Sequence, residues 1–207
     1  MPQSIEEFEF LPTTCISDAM NGMNHLDPLI KSLKEEYQIC GRAFTVQVPM
    51  NDNLLVLQAI KEARSGDILV IDAKGDRHFA VAGDFILGMA QTLGVGGIVV
   101  DGVIRDIVDV KKLDFPVFCK GTTVAASQKY GRGSLNEPIS CGGKTVQPGD
   151  LIIGDADGVV VVPKNIEKEV YKKALDKLKK DETRENRVSG NPEEIINYIN
   201  GMLSKEK

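Results

Sequence analysis

The sequence predicts a mixed α/β fold with a parallel sheet in its first half and a β-rich second half. Short apolar runs rich in β-branched residues, Asp67-Ile68-Leu69-Val70-Ile71-Asp72 and Ile98-Val99-Val100, alternate with amphipathic helical segments, the order expected of strands joined by crossover helices. From Thr122 to Val161 the composition shifts to glycine, valine and turn residues, with Pro148-Gly149-Asp150 and Asp157-Gly158 as turn signals. After Asn165 the spacing turns helical again.

The elements follow in order. Thr13 to Met20 is a short helix with Thr14 or Ser17 as candidate caps and Asp18 in a structural role. Gly41 to Val48 alternates polar and apolar, the period of a half-exposed strand. Asn53 to Arg64 is helical, with Leu54, Leu55, Leu57, Ala59 and Ile60 inward and Gly66 at its end. The helix Gly83 to Leu93, with Phe85, Ile86, Met89, Ala90 and Leu93 at helical spacing, spans roughly 16 Å at 1.5 Å per residue. Gly94-Val95-Gly96-Gly97 stops it, and a strand from Gly96 to Asp101 returns about the same distance at about 3.3 Å per residue. The start of that helix and the end of that strand therefore meet at one edge of the sheet.

Ile104 to Leu113 is expected to be helical on an apolar face of Ile107, Val108, Val110 and Leu113, followed by a strand at Pro116 to Cys119. Leu151 to Gly154 and Val159 to Val162 flank Asp155-Ala156-Asp157-Gly158 as a hairpin, closed by Pro163. Ile166, Val170, Ala174 and Leu178, joined by Tyr171 and Leu175, define a lysine-rich amphipathic helix whose lysines form its wet face. Asn191-Pro192-Glu193-Glu194 starts a last helix with a cap, a first-turn proline and acids at the positive dipole end. Residues 1–163 are expected to form one α/β domain. Residues 164–207 add helices that pack on it or on a neighbouring subunit.

The chain has 207 residues, with 30 acidic against 25 basic side chains and a formal net charge of −5. That balance argues against a general nucleic-acid binder. No apolar run reaches membrane-spanning length, and Met1 to Phe10 lacks the basic start and long apolar stretch of a signal peptide, so the expectation is a cytoplasmic protein with no membrane partner. Cys15, Cys40, Cys119 and Cys141 are widely spaced and read as free thiols.

The shared edge holds the chemistry. Gly83-Asp84-Phe85-Ile86 presents backbone N–H groups at a helix start, and Arg105-Asp106 lies just past the strand end, where ligands of parallel sheets bind. Taken alone, an Arg-Asp pair is usually a surface ion pair or a cap; its position opposite Gly83 makes it a candidate site. Asp101 either orients Arg105 or closes a turn with Gly102, and the turn is preferred. Asp155 and Asp157 are turn residues, and Asp52 and Asn53 are helix caps.

Gly83-Asp84-Phe85-Ile86, the 22-residue step to Arg105-Asp106, VVDGVIRD, SGDILVID and PGDLIIGDADGVVVVP together resemble the RraA-like family from about Thr13 to Pro163. That family contains the regulator of ribonuclease activity A and metal-dependent 4-hydroxy-4-methyl-2-oxoglutarate aldolases, and many members were formerly described as demethylmenaquinone methyltransferases. The resemblance implies a three-layer β/β/α swivelling-domain fold with a C-terminal helical extension, and a homotrimer or hexamer with sites near subunit boundaries. In the aldolase branch it implies that Gly83, Asp84, Phe85 and Ile86 hold the substrate carboxylate through backbone N–H groups. Arg105 would grip the substrate, and Asp106 would anchor Mg2+ or Mn2+.

Those roles make physical sense: a helix N-terminus favours an anion, the Arg105 fork fits a carboxylate or enolate oxygen, and one hard carboxylate suits a cation that keeps several waters. The expected activity is class II cleavage of a 4-hydroxy-2-oxo acid through a metal-stabilised pyruvate enolate, with oxaloacetate decarboxylation through the same species. Asp84 is the candidate base for the C4 hydroxyl, against its plainer role as a dipole partner. Groups recognising the leaving half are sought between Gln128 and Ser140 or after Asp181.

Rivals lack parts. His25 and His78 are the only histidines and have no ligand partner at helical spacing, which excludes a multi-histidine zinc site. Gly94-Val95-Gly96-Gly97 precedes a strand, so it is no dinucleotide fingerprint, and methyl transfer has no support. A Schiff base on Lys74 or Lys120 stays open. From a different class, the chain could be a non-enzymatic regulator that binds ribonuclease E.

Overall fold

The computed structural model describes residues 5–204. Its strands are β1 (Lys31–Ser32), β2 (Ile39–Gln47), β3 (Ile68–Ala80), β4 (Gly97–Val103), β5 (Val117–Cys119), β6 (Ser134–Leu135), β7 (Ile139–Cys141), β8 (Lys144–Val146), β9 (Leu151–Asp155) and β10 (Gly158–Val162). The helices are α1 (Thr13–Ala19), α2 (Leu54–Glu62), α3 (Asp84–Thr92), α4 (Ile107–Val110), α5 (Glu167–Val188) and α6 (Pro192–Leu203). The main sheet runs β1-β5-β4-β3-β2-β9-β10, with β6 added to β2, while β7 and β8 form a separate ribbon. Strands β2 to β5 are mutually parallel, as the alternation of strand and helix predicts. The sheet nearly closes: Lys31 Nζ reaches the carbonyl of Asp157 at 2.6 Å, and His25 bridges Val160.

Alternate side chains sort the layers. Leu69, Ile71, Ile98, Val100 and Val117 face α2 and α3 across one core. Val70, Val99 and Phe118 face Ile152, Val159 and Val161 of the β9–β10 hairpin across a second. Helices α2 and α3, the parallel sheet and the hairpin sheet give the β/β/α stacking. The outer face of the hairpin, Leu151, Ile153, Val160 and Val162, packs against α1 and α5 and adds a further helical layer. Each fully buried aliphatic side chain contributes about 1.5–3 kcal/mol, so strands buried on both faces anchor the fold.

Several expectations need correction. Strand β2 is not half-exposed: its first half pairs with β9 and its second with β3, and Thr45 is fully buried, donating to the carbonyl of Glu137 at 2.6 Å. The β9–β10 hairpin that completes the pairing comes from far downstream in the chain, which local alternation does not reveal. Helix α4 is a single turn rather than the span from Ile104 to Leu113, because Ile104 is still bonded into the sheet, accepting from Thr123 N at 2.9 Å and donating to Gly121 at 3.1 Å. Its face also differs: Val108 is exposed while Val110 is buried. In α2 the buried positions are Val56, Ala59 and Ile60, with Leu54 turned outward. In α3 they are Leu87 and Ala90, and Phe85 and Leu93 are exposed.

Neither Thr14 nor Ser17 caps α1. Asp155 does so from the hairpin, accepting from Thr13 N at 2.9 Å and Thr13 Oγ1 at 2.7 Å, while also closing its own turn through Asp157 N at 2.9 Å. Asp18 pairs with Lys177 of α5 at 3.0 Å. Helix α5 buries Val170 and Ala174 and sets Tyr171 edge-on to Phe8 at 5.4 Å. Asn191 caps α6 as expected, accepting from Glu194 N at 3.2 Å, and α6 leaves Ile195, Ile196 and Ile199 largely exposed.

Gly41 lies where β2 changes partner. A Cβ there would collide with the carbonyl oxygen of Gly66 and come within 2.9 Å of Ile68 Cγ1. Gly41→Ala is expected to destabilise the protein by about 1–3 kcal/mol, measured as a lower urea midpoint at unchanged m-value.

Candidate active site

The carboxyl end of β4 approaches the start of α3 through backbone bonds. Val81 N donates to Val103 O at 3.1 Å and Arg105 N to Ala82 O at 3.0 Å, which lays residues 81–83 alongside 103–105. Gly83 follows as the N-cap of α3, extended at φ −135°, with no side chain capping the helix. The first-turn N–H groups are thus left for a ligand. A Cβ on Gly83 would collide with Asp106 Oδ2 and lie 3.1 Å from Arg105 Cγ and 3.2 Å from Nε. A side chain at this position would displace the Asp106 carboxylate from the helix start.

Asp106 adopts the left-handed conformation, φ 61° and ψ 37°, and its carbonyl accepts from Asp109 N and Val110 N to start α4. Aspartate enters that region at modest cost, and the sharp turn aims its carboxylate back at Gly83. Arg105 Nε sits 3.2 Å from Asp106 Oδ2, with both side chains more than a third exposed. A pair that open contributes little to stability.

These residues line a cleft of about 110 Å³, together with Asp84, Phe85, Ile86, Asn53, Ser127 and Lys129. Larger hollows of about 910, 630 and 540 Å³ lie elsewhere, but none brings the helix start, Arg105 and Asp106 together. The sequence thus names six residues that the fold assembles in one place. Phe85 is 77% exposed.

Asn53 and Ser127 are not visible as site residues in the sequence, whereas Lys129 lies in the segment from Gln128 to Ser140 where groups for the leaving half are sought. Asn53 donates Nδ2 to Val81 O at 3.0 Å, and its Oδ1 is buried without a partner among the described residues; the hydroxyl of Ser127 is likewise buried and unpartnered among them. No side-chain bond from Asn53 caps α2, contrary to expectation. Asp52 does accept from Leu54 N at 3.1 Å, but it also gathers Tyr130 N, Gly131 N and Arg132 N at 3.0–3.2 Å, pinning a distant loop. Burial acts to raise the Asp52 pKa, yet these backbone donors outweigh it and hold the carboxyl below its ordinary value.

Asp101 neither orients Arg105 nor serves a local turn. Its Oδ2 accepts from Gly142 N at 2.8 Å and its Oδ1 meets Lys120 Nζ at 2.6 Å. Lys120 also pairs with Asp27 at 2.9 Å; desolvation pulls its pKa down, but the two carboxylates prevail and raise it, which keeps it protonated and unfit as an amine nucleophile. Lys74 is paired with Asp72 at 2.6 Å. The four cysteines are free thiols; burial pushes Cys119 up to about 11 and Cys40 up to about 12. No helix among the described residues is long and apolar enough to cross a membrane.

Residues 13–161 match the RraA-like family model, described as Aldolase/RraA. A protein of Halalkalibacterium halodurans named "Putative 4-hydroxy-4-methyl-2-oxoglutarate aldolase" is 56% identical over 199 residues, covering 96% of this chain and 95% of its own. The crystal structure of Streptomyces coelicolor RraAS2, described as an unusual member of the RNase ES inhibitor RraA protein family, superposes with a TM-score of 0.81 at 28% identity, over 91% of this chain and all of that one. The RNA-processing inhibitor RraA from Thermus thermophilis gives 0.68 at 28% identity, over 73% and 92%.

Because the Asp52 pKa is depressed on folding, its contribution is full above the unfolded value of about 3.9 and is lost as pH falls through the folded one. The stability advantage of wild type over Asp52→Asn should therefore be constant near neutrality and shrink below about pH 4. Urea titrations across that range measure it, and a difference independent of pH would contradict the assignment.

Proposed function

The chain belongs to the RraA-like (Aldolase/RraA) family, and from that premise we propose that it is a divalent-metal-dependent lyase releasing pyruvate from 4-hydroxy-2-oxo acids such as 4-hydroxy-4-methyl-2-oxoglutarate, and decarboxylating oxaloacetate at the same site. The observation that carries the proposal is the contact of Gly83 with Arg105 and Asp106, which sets an anion-binding helix start, a guanidinium and a carboxylate around one small cleft.

The donor set fits a hard cation. Asp106 and Asp84 offer carboxylate oxygens at the cleft, and no cluster of three or more metal-ligating side chains occurs among the described residues, so Mg2+ or Mn2+, which retain waters, suits the site better than a caged ion. Bound to Asp106, such an ion would supply Lewis-acid polarisation of the substrate 2-oxo group.

The N–H groups of Asp84, Phe85 and Ile86 bind the 1-carboxylate, favoured by the helix dipole. Arg105 faces the 2-oxo oxygen and stabilises the negative charge that collects there as the C3–C4 bond breaks and its electron pair moves toward C2. Asp84 takes the proton from the C4 hydroxyl, directly or through a water, as that carbon becomes a carbonyl. In oxaloacetate the departing group is carbon dioxide, and no such proton transfer is required. The exposed Phe85 and Leu93, which line one apolar hollow along α3, support assembly as a homotrimer or hexamer.

A second reading, a regulator that binds ribonuclease E, is favoured by the structural likeness to the two RraA proteins. Pyruvate release separates the two. With magnesium, the purified protein is expected to release pyruvate from 4-hydroxy-4-methyl-2-oxoglutarate or oxaloacetate in a lactate-dehydrogenase-coupled assay, and EDTA should abolish the activity until magnesium is restored. Arg105→Ala and Asp106→Ala should each lower kcat by about 10²–10³ or more while circular dichroism stays unchanged. Absence of turnover together with specific capture of ribonuclease E would overturn the lyase reading.

A further inference from the structure

Strands β7 and β8 pair with each other and, among the described residues, with no strand of the main sheet. A ribbon of two strands is marginal by itself, so its attachments decide whether it stays in place. Both arms are rooted on β2: Asn136 N donates to Thr45 O at 2.8 Å and Thr45 Oγ1 to Glu137 O at 2.6 Å on one side, while Gly149 N donates to Ala43 O at 2.7 Å on the other. The ribbon then crosses β3, with Cys141 Sγ donating to Ile71 O at 3.9 Å, and its tip reaches β4. It buries Ile139, Cys141 and Val146 against the inter-sheet core and leaves Ser140 and Thr145 exposed.

The tip is held differently from the root. It is a two-residue turn, Gly142-Gly143, with φ 53° and 74°. Gly142 N donates to Asp101 Oδ2 of β4 at 2.8 Å, and Gly142 O accepts from Asp27 N at 2.9 Å. A Cβ on Gly142 would lie 2.8 Å from Asp27 N and 2.9 Å from Leu26 Cβ and Ile30 Cδ1, so the turn is pressed against that loop. The two residues that grip the tip are joined by one ammonium: Lys120 Nζ lies 2.6 Å from Asp101 Oδ1 and 2.9 Å from Asp27 Oδ2. The Lys120 and Asp101 side chains are only 13% and 11% exposed, and Lys120 N is fixed to Gly102 O at 2.8 Å. Without the ammonium, two poorly solvated carboxylates would repel each other at the tip. The three root bonds involve no charged group.

We propose that the β7–β8 ribbon is a flap hinged on β2, that Lys120, Asp27 and Asp101 form the clasp that holds its tip, and that the flap opens as a unit while the parallel sheet stays folded. Opening bares the apolar inter-sheet surface around Val70 and Val99 and exposes Cys141, whose side chain is otherwise fully buried. The device is independent of the lyase reading. Asp101 extends from β4 on the side of Val99, whereas Ile98 and Val100 point to the opposite side, where α3 lies.

The test is labelling of the full chain by N-ethylmaleimide, with Cys141 followed by peptide mass spectrometry. In wild type its rate should be independent of urea below the unfolding transition, the mark of a local opening. Lys120→Met should raise that rate about tenfold or more, the size of a lost charge-assisted contact, and Asp27→Asn about threefold or more. Val170→Ala, which leaves a cavity beneath α5, should lower the urea midpoint of the whole molecule and leave the Cys141 rate unchanged. A wild-type rate that follows the urea dependence of global unfolding, or a rate that is the same in wild type, Asp27→Asn and Lys120→Met, would overturn the proposal. Should Lys120→Met not fold, Asp27→Asn carries the same test, because that side chain is 31% exposed and the substitution leaves the backbone bond to Gly142 in place.

Discussion

The candidate site depends on the close approach of the Gly83 backbone to the side chains of Arg105 and Asp106, into whose present positions a Cβ would intrude. It rests on the two backbone bonds that join residues 81–82 to 103–105, which follow the Ala80–Val103 pairing after the β3–β4 ladder has shifted register twice past Asp72. The register upstream of those shifts is fixed by burial on both faces, where Leu69, Ile71, Ile98 and Val100 face the helices while Val70 and Val99 face the hairpin. A slip of one residue would exchange the two sets, and both cores would be lost. The site is therefore positioned by the most buried part of the chain, which explains how half-exposed side chains can hold a defined geometry.

The parts legible in the sequence are those whose cause is local. Strand β4, helix α3, the β9–β10 hairpin and the cap of α6 are each determined by neighbouring residues and stand close to where spacing puts them, whereas β3 begins as expected but runs on past Asp72 to Ala80. Gly83 and Arg105-Asp106 were legible for the same reason: a strand that returns along the preceding helix brings its end back toward the helix start. The misread parts have distant causes. Asp52 and Asn53 look like helix caps because they precede α2, but their other partners lie in β3's exit and in a loop 78 to 80 residues away. The polar positions of β2 suggest a wet face, yet Thr45 finds its acceptor at Glu137, and Arg42 makes two hydrogen bonds to Glu167 of α5.

Helix α4 shows how a periodic pattern can mislead over a short span. The residues from Ile104 to Leu113 have helical spacing, but the first of them still belongs to the sheet and Asp106 takes a left-handed turn before the helix can begin. The helix that local propensity favours is thus cut short by the geometry that swings Asp106 toward Gly83. Local preference yields here at the residue where function is expected, as is common for strained positions.

The carboxylates near the strand ends divide by what they accept. Asp52 binds four backbone N–H groups, Asp72 accepts from Lys74 N, Asp76 from His78 N and Asp101 from Gly142 N. Each of these anions is committed to holding a loop or turn, and an oxygen so engaged is a weaker ligand or base because backbone donors stabilise its charged form. Asp84 and Asp106 accept no backbone donor among the described residues, and Asp106 has only the Arg105 guanidinium beside it. The fold spends four aspartates on architecture, although Asp76 keeps a buried Oδ2 without a partner among the described residues, and Asp84 and Asp106, which accept none of these backbone bonds, line the one cleft that also contains Arg105 and the open α3 start. This division by backbone acceptors favours Asp84 and Asp106 over the other strand-end carboxylates as candidate ligands or bases, where residue type and spacing alone could not.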